Sequence, residues 1–365
     1  MNHLTIVIFL LLSNCISLLS TQSIDSSKIA NELYLNAIQS INAGKYDDAI
    51  SRCDSAMGFN PKPLAYPYEK ALALFKKNQF EDASKVLDSL TNHVEVNPQV
   101  YQLLGNCYDA LGNSEKALEI YKNGLIKFPK SGRLYYEMGI NYIEQKEGRK
   151  AISNWENGVI NDPQYPNNYL ILSKYYANSG FTAWSVLLGE IFSNLNESDF
   201  KAKEISHLLY VFYRKSFYHL KDSVVSIEFT TNMITSSVKR DNKDLYFDLA
   251  YQYVMQDAAR GILPSDSLMF SIDVLYQLRK KFIELWFAEN LDKTFPNVLF
   301  DWHKLLIEKD IFEVYNYFLF NEGAPEETKA WVSRNQLKIQ RFQTLIKENL
   351  LKIDESHFLN KRQYR

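Results

Sequence analysis

Cysteine is scarce: there are three in 365 residues, at Cys15, Cys53 and Cys107. No two are close enough in sequence to form a paired-cysteine zinc spacing, so that class of site is excluded. Also missing are His-Glu-x-x-His, Gly-x-Ser-x-Gly, a Walker loop and a dinucleotide glycine fingerprint, which weighs against catalysis without closing the question. An excess of charge of one sign is lacking too. Residues 1–200 carry 17 basic and 21 acidic side chains, and residues 201–365 carry 24 and 22. Neither half has the positive surplus that binds phosphate backbones, so no nucleic-acid partner is expected. The one concentrated basic stretch, LNKRQYR at 359–365, reads as a frayed end.

The N-terminal apolar run, Leu4 to about Leu12 and weaker through Leu19, falls short of the roughly 20 residues a spanning helix needs. Small and polar residues follow it. That layout predicts a signal peptide over residues 1–20, cleaved near Ser20, then a linker over 21–29. The expected address is exported: periplasmic, secreted or envelope-associated. An uncleaved anchor is the rival reading. Leu12-Ser13-Asn14-Cys15 partly resembles a lipoprotein cleavage box, which would make Cys15 a lipid attachment point. Asn14 fits that box poorly, because a very small residue is usual just before the cysteine.

What the chain does have is apolar and aromatic material, with 24 Tyr and 22 Phe. Wholesale disorder is excluded, and the length favours two or three cores. The material is also periodic. Small residues recur every 34 positions at Ala37, Ala71, Gly105, Gly139 and Ser173, and again at Ala49, Ala83, Ala117, Ala151 and Ser185. Between them run Gly44, Asn78, Gly112, Lys146 and Gly180, turn formers at four of five places. Large residues recur at Leu33, Tyr101, Tyr135 and Tyr169, with Pro67 interrupting, and prolines close three units at Pro61, Pro129 and Pro163. Apolar residues inside each unit follow helical spacing, as in Ala117, Ile120, Tyr121, Gly124 and Leu125. Each unit therefore reads as two antiparallel helices, with a left-handed residue ending the first and proline stopping the second. Small residues let the helices approach, and Tyr121 and Trp155 fill the wedge between neighbouring units. One such hairpin cannot bury its own face, so the units must stack.

This pattern resembles the tetratricopeptide repeat, over five units at residues 30–198. The fold class expected is all-α: a helical-hairpin superhelix of that type, then a mainly helical C-terminal domain over 199–365. Unit two departs at its end, where Pro98 comes three residues late. Unit five departs further, with Ser185 for alanine and Gly189 where a bulky residue is expected. Cys53 and Cys107 fall two units apart on different helices. Cα atoms beyond about 7 Å cannot be bridged, so both read as packing residues.

The resemblance implies that the first helix of each unit lines a groove for a peptide or partner helix. By position, that face holds Tyr34, Ile38 and Ile41 in unit one, and Tyr68, Leu72 and Phe75 in unit two. Unit three adds Gln102, Asn106 and Asp109, unit four Tyr136, Ile140 and Ile143, and unit five Asn167 and Lys174. The version of the repeat that clamps a C-terminal carboxylate uses Lys, Arg and Asn on these faces. Only Asn106 fits here, so an apolar peptide or helix suits the face better than an acidic tail. The alternative is internal: an aromatic stripe at helical spacing can be packing, and the second half can fold back to fill the groove.

Residues 199–365 show no 34-residue period and read mostly as helices. KEISHLLYVFYRKSFYHL at 203–220 is apolar almost all round, which implies burial. Ser265 is a candidate N-cap for the helix after it. SVVSIEFTTNMITSSV at 223–238, rich in β-branched residues, reads as a strand pair or an irregular helix. Two stretches invite chemistry. In FDWHK, His303 sits near Glu308 and Asp310, but no nucleophile is identifiable, and a packing Trp302 with a surface His303 is the plainer reading. Glu204-Ile-Ser-His207 has the spacing of di-iron carboxylate helices, which need it twice, and the only second candidate is Asp354-Glu-Ser-His357. No metal or other cofactor is expected. Asn196-Glu-Ser fits a glycosylation acceptor.

These residues favour an exported, non-catalytic scaffold that binds a peptide or protein, in cell-envelope assembly or tethering. An enzyme in the C-terminal half, docked by the repeats, is the alternative. Self-association through open ends of the stack is a third.

Overall fold

The computed structural model of the chain describes residues 26–196, 199–220, 224–230, 246–260, 262 and 270–364. The expected signal peptide, Cys15, linker residues 21–25, Ser265, residues 231–238 and two residues of the glycosylation acceptor lie outside them. The chain divides between Gln145 and Lys146 into two compact units.

The first unit is a run of helical hairpins: α1 (26–42), α2 (Tyr46–Phe59), α3 (Ala65–Lys76), α4 (Phe80–Leu90), α5 (Pro98–Ala110), α6 (Ser114–Lys127) and α7 (Gly132–Glu144). The small-residue series does what the period requires. Ala37, Ala71, Ala49, Ala83 and Ala117 are all fully buried. At Gly105 an added Cβ would lie 2.1 Å from the Tyr121 ring, so contact there leaves no room for a side chain. The turn series is left-handed throughout: φ is +73° at Gly44, +62° at Asn78 and +77° at Gly112. Pro67 does not break α3, because it lies in the first turn, where no N–H is needed. The late Pro98 sits at the start of α5, capped by the Asn97 carboxamide, which accepts the Gln99 N–H at 3.0 Å. The longer 91–97 connection is stapled to the preceding loop: Glu95 accepts the Leu64 N–H at 3.0 Å, and His93 Nε2 lies 3.0 Å from the Lys62 carbonyl. Cys53 and Cys107 are free and fully buried, and burial pushes each thiol up to about 12.

The second unit opens with α8 (Gly148–Asn161), α9 (Pro166–Asn178) and α10 (Thr182–Leu195), which keep the repeat spacing. Lys146 and Gly180 hold φ at +61° and +75°, so the non-turn-former in the series adopts the left-handed conformation too. Next comes α11 (Asp199–Ser216), which starts 33 residues after α9 does and packs on α10. It takes the place of a sixth first helix. Its Leu209 and Ile205 occupy the space beside Gly189, where an added Cβ would lie 2.9 and 3.1 Å from them. That is why glycine stands where Tyr121 and Trp155 stand in earlier units.

Among the described residues, no second helix follows α11 directly. The chain forms an antiparallel hairpin, β1 (Phe217–Leu220) with β2 (Val224–Ile227), in the register Phe217 to Ile227 and Leu220 to Val224. The β-branched start of the 223–238 stretch is thus a strand. The remaining helices are α12 (Phe247–Ala259), α13 (Ile272–Ala288), α14 (Leu291–Thr294), α15 (Val298–Glu308), α16 (Phe312–Leu319), α17 (Pro325–Arg334) and α18 (Gln336–Glu348). The described cap of α13 is Ser271, whose hydroxyl accepts the Val274 N–H at 3.1 Å. Aromatic rings make this core. Phe247 lies 4.7 Å from Trp184 and 5.7 Å from both Trp286 and Phe295.

Residues 359–364 are not frayed, contrary to the sequence expectation. Leu359 and Asn360 are buried, and Tyr364 stacks on Phe247 at 4.8 Å. A basic stretch reads as solvated only until a buried carboxylate is found to receive it.

Candidate functional site

In the first unit the first helices α1, α3, α5 and α7 carry the predicted face. Tyr34 is half-buried against the Tyr66 ring at 5.3 Å, and Ile38 is half-buried beside it. Ile41 is a correction: it is buried against Ala49 and Ala73 and offers no surface. Tyr68, Leu72 and Phe75 are half-buried, packed on the core below and partly open above. Tyr136 and Ile140 are half-buried on α7, and Ile143 is exposed.

The polar middle is already engaged. Arg133 donates to Gln102 Oε1 at 2.7 Å, and Gln102 donates to Glu137. The Tyr121 hydroxyl lies 2.6 Å from Asn106 Oδ1 and 2.8 Å from Asp109 Oδ2. Asn141 donates to Asp109 Oδ1 at 2.6 Å and receives Gln145 at 2.6 Å. These bonds tie α5 to α7 side by side. Burial raises the carboxyl pKa of Glu69, Asp109 and Glu137 above the ordinary range, with hydrogen bonds partly opposing it at the last two. Tyr121 is pushed far up by burial and by the charge on Asp109.

Sequence reasoning missed Glu69, Arg133, Glu137 and Asn141. A signal was present: Glu69 and Glu137 stand 34 residues either side of Leu103, at a position that is otherwise apolar. The face therefore combines half-exposed aromatic and aliphatic side chains with carboxylates that have been drawn out of water.

In the second unit Asn167 and Lys174 are bonded to residues of α11. Lys201 on α11 donates to Asn167 Oδ1 at 3.0 Å, and Lys174 pairs with Glu204 at 2.6 Å. Glu204 is thus committed to Lys174, while His207 turns its Nδ1 toward the Glu322 carbonyl, so the pair does not converge on one point. Asp354 and His357 close a turn on themselves. Among the described residues, no group of three or more His, Cys, Asp or Glu is placed to hold a metal ion.

His303 is a second correction. It is buried, and its partner is Glu190 of α10, not Glu308 or Asp310. Glu190 receives Arg279 at 2.7 Å on Oε2, and His303 Nε2 and the Tyr315 hydroxyl at 2.7 and 2.8 Å on Oε1. The Arg279 guanidinium also faces the rings of Phe320 and Phe312 at 5.2 and 5.3 Å. Burial alone would raise the Glu190 carboxyl, but Arg279 and His303 overcome it and hold it at about 2. Burial lowers the His303 pKa, and its Nε2 lies 2.7 Å from Glu190 Oε1 and 3.2 Å from an Arg279 nitrogen. A cluster this sealed, with exposures of 3% for Arg279, 1% for Glu190 and 3% for His303, is a structural tie.

Comparisons with known proteins agree with the repeat architecture. Residues 35–151 match the profile described as Psidin, N-terminal TPR repeats region. Those residues form a tetratricopeptide-repeat region, a scaffold whose fold suggests protein–protein interaction. It is 30% identical over 112 residues to anaphase-promoting complex subunit 3 of Dictyostelium discoideum, and 28% identical over 148 residues to BBSome complex member BBS4 of Bos taurus. Those stretches are 30% and 40% of this chain but span only 11% and 27% of the relatives. Among solved structures, the TPR protein TTC0263 of Thermus thermophilus aligns with a TM-score of 0.42 at 18% identity, covering 50% of this chain and 98% of that one. Pseudomonas aeruginosa pilF gives 0.42 at 11%, covering 52% and 86%. No helix among the described residues is long and apolar enough to cross a membrane.

Proposed function

We propose that the chain is a non-catalytic scaffold whose first-helix face, in the first unit, binds a segment of a protein partner. One observation carries the reading. Tyr68, Leu72 and Phe75 on α3, and Tyr136 and Ile140 on α7, are held half-exposed on first helices either side of α5, the α3 residues supported from below by the core. Half-exposed aromatic and aliphatic surface of this kind is what anchors a bound peptide. Glu69 and Glu137, at equivalent positions of units two and four, favour a segment bearing amide or cationic donors over one bearing acids. The apolar N-terminal run at Leu4–Leu19 supports an exported protein acting in envelope assembly or tethering.

The test is capture in the native host through a photo-reactive residue at Leu72. The captured segment is then re-made as a purified peptide. The reading expects binding to that peptide to fall at least tenfold in a Tyr68→Ala, Phe75→Ala, Tyr136→Ala variant that keeps its far-UV circular dichroism. Equal binding by variant and wild type sinks it.

A further inference from the structure

Glu156 and Glu190 stand 34 residues apart, at the same position of consecutive second helices, and both are carboxylates buried to 2% and 1% exposure. Each is met by one arginine and one tyrosine from elsewhere. Glu190 has Arg279 and Tyr315; Glu156 has Arg362 at 2.6 Å and the Tyr176 hydroxyl at 2.8 Å. The two arginines differ in one respect. Arg279 is 3% exposed, sealed inside the helical core, whereas Arg362 is 29% exposed and reaches Glu156 from the solvent side.

The segment that carries Arg362 is bound like a ligand. Leu359 is fully buried, and the Asn360 carboxamide donates to the Glu156 carbonyl at 3.1 Å. The Arg362 guanidinium also donates to Asn157 Oδ1 at 2.7 Å and to the Ser153 carbonyl at 3.1 Å. Lys361 Nζ sits 3.2 Å above the Phe181 ring, and Tyr364 fills an aromatic slot between Phe247, Trp184 and Phe295. The segment is shaped by itself as well. Asn360 Oδ1 accepts the Arg362 N–H at 2.9 Å, and Gln363 Oε1 accepts the Asn360 N–H at 2.7 Å, within the single turn Lys361–Tyr364. An exposed turn, Asp354–His357, precedes it and is closed by its own hydrogen bonds.

We propose that residues 358–364 are a separable latch: a peptide ligand of this chain bound in cis, in a socket that the second helices α8 and α10 build with α12. The inference concerns a different surface from the first-helix face and stands or falls without it. A short segment that brings its own turn, one arginine for a buried carboxylate and one aromatic for a slot has the recognition elements of a bound peptide. The socket remains when the connection to it is cut, and it accepts the same sequence in trans.

The experiment uses the full chain with a specific protease site placed in the exposed 354–357 turn. After cleavage, a fluorescein-labelled synthetic peptide of residues 357–365 is added and its anisotropy followed. The nicked protein should keep its secondary structure and bind the labelled peptide saturably, with unlabelled peptide competing. A peptide carrying Arg362→Ala should bind at least tenfold more weakly. Glu156→Gln in the protein should weaken the wild-type peptide similarly, with little further effect on the Arg362→Ala peptide. In the uncut chain, Arg362→Ala should speed proteolysis within 354–364 and nowhere else. Absence of exchange, equal binding of the two peptides, or loss of fold on cleavage each overturns the proposal.

Discussion

Replacing Glu190 by glutamine changes almost no volume and leaves Arg279 one oxygen to donate to. It removes the carboxylate that neutralises a guanidinium only 3% exposed. Breaking a buried pair on one side costs about 3–5 kcal/mol, because the remaining charge stays desolvated. The lowered carboxyl of Glu190 expresses the same pairing as a dependence on pH. Its carboxyl is lowered from 4.5 to about 2 in the folded chain. A depressed acid stabilises the fold above its unfolded value, and that contribution is lost as pH falls from 4.5 toward 2. The gap amounts to about 3 kcal/mol. Glu190→Gln should therefore lose about 3 kcal/mol or more at pH 7, and its deficit against wild type should shrink as pH falls through about 4. His303 adds a loss of the same sign to the wild type, beginning as pH falls below 6.5, since its folded value is lowered and the unfolded ring protonates first. All five tryptophans lie beyond residue 145, so fluorescence excited selectively at tryptophan during urea unfolding reports the second unit. A Glu190→Gln deficit under about 1 kcal/mol, or one that is flat between about pH 7 and 3, would refute the reasoning.

Lys146 is held at φ +61° in a series whose other members are glycine or asparagine, so Lys146→Gly should raise stability by about 0.5–1 kcal/mol. An unchanged or lower melting temperature would count against left-handed strain at that turn. Gly105→Ala places a methyl 2.1 Å from a Tyr121 ring pinned through its hydroxyl to Asn106 and Asp109, and overpacking of this kind costs about 1–3 kcal/mol. Urea unfolding followed by far-UV circular dichroism measures it, and a negligible loss would mean that the ring yields.

How much of the fold was legible follows from where its physics lies. The repeat was legible because every unit solves the same local problem. Close helix contact needs alanine or glycine at fixed places, and a left-handed turn tolerates few residues, so both requirements print onto the sequence with a 34-residue period. Tyr68, Leu72 and Phe75 recur on the first helix α3 and pack half-buried on the core for the same reason. Gly189 was visible as an exception but not as an explanation, since its neighbours Leu209 and Ile205 belong to a helix with no turn signal to announce a sixth unit.

The polar contacts were not legible. Glu190 meets partners 89 and 113 residues away, and Glu156 meets one 206 residues away, so nothing local distinguishes either from the solvated glutamates around it. His303 looked like a surface histidine because a ring nitrogen gives no sign of what faces it, and LNKRQYR looked frayed because the carboxylate that seats it lies in another part of the chain. By itself the sequence determined the repeating hairpins and their apolar faces, which arise from contacts within a unit or between adjacent ones. Only the tertiary structure decided which charges are buried and paired, because desolvation makes a buried charge depend on partners brought together by the whole fold.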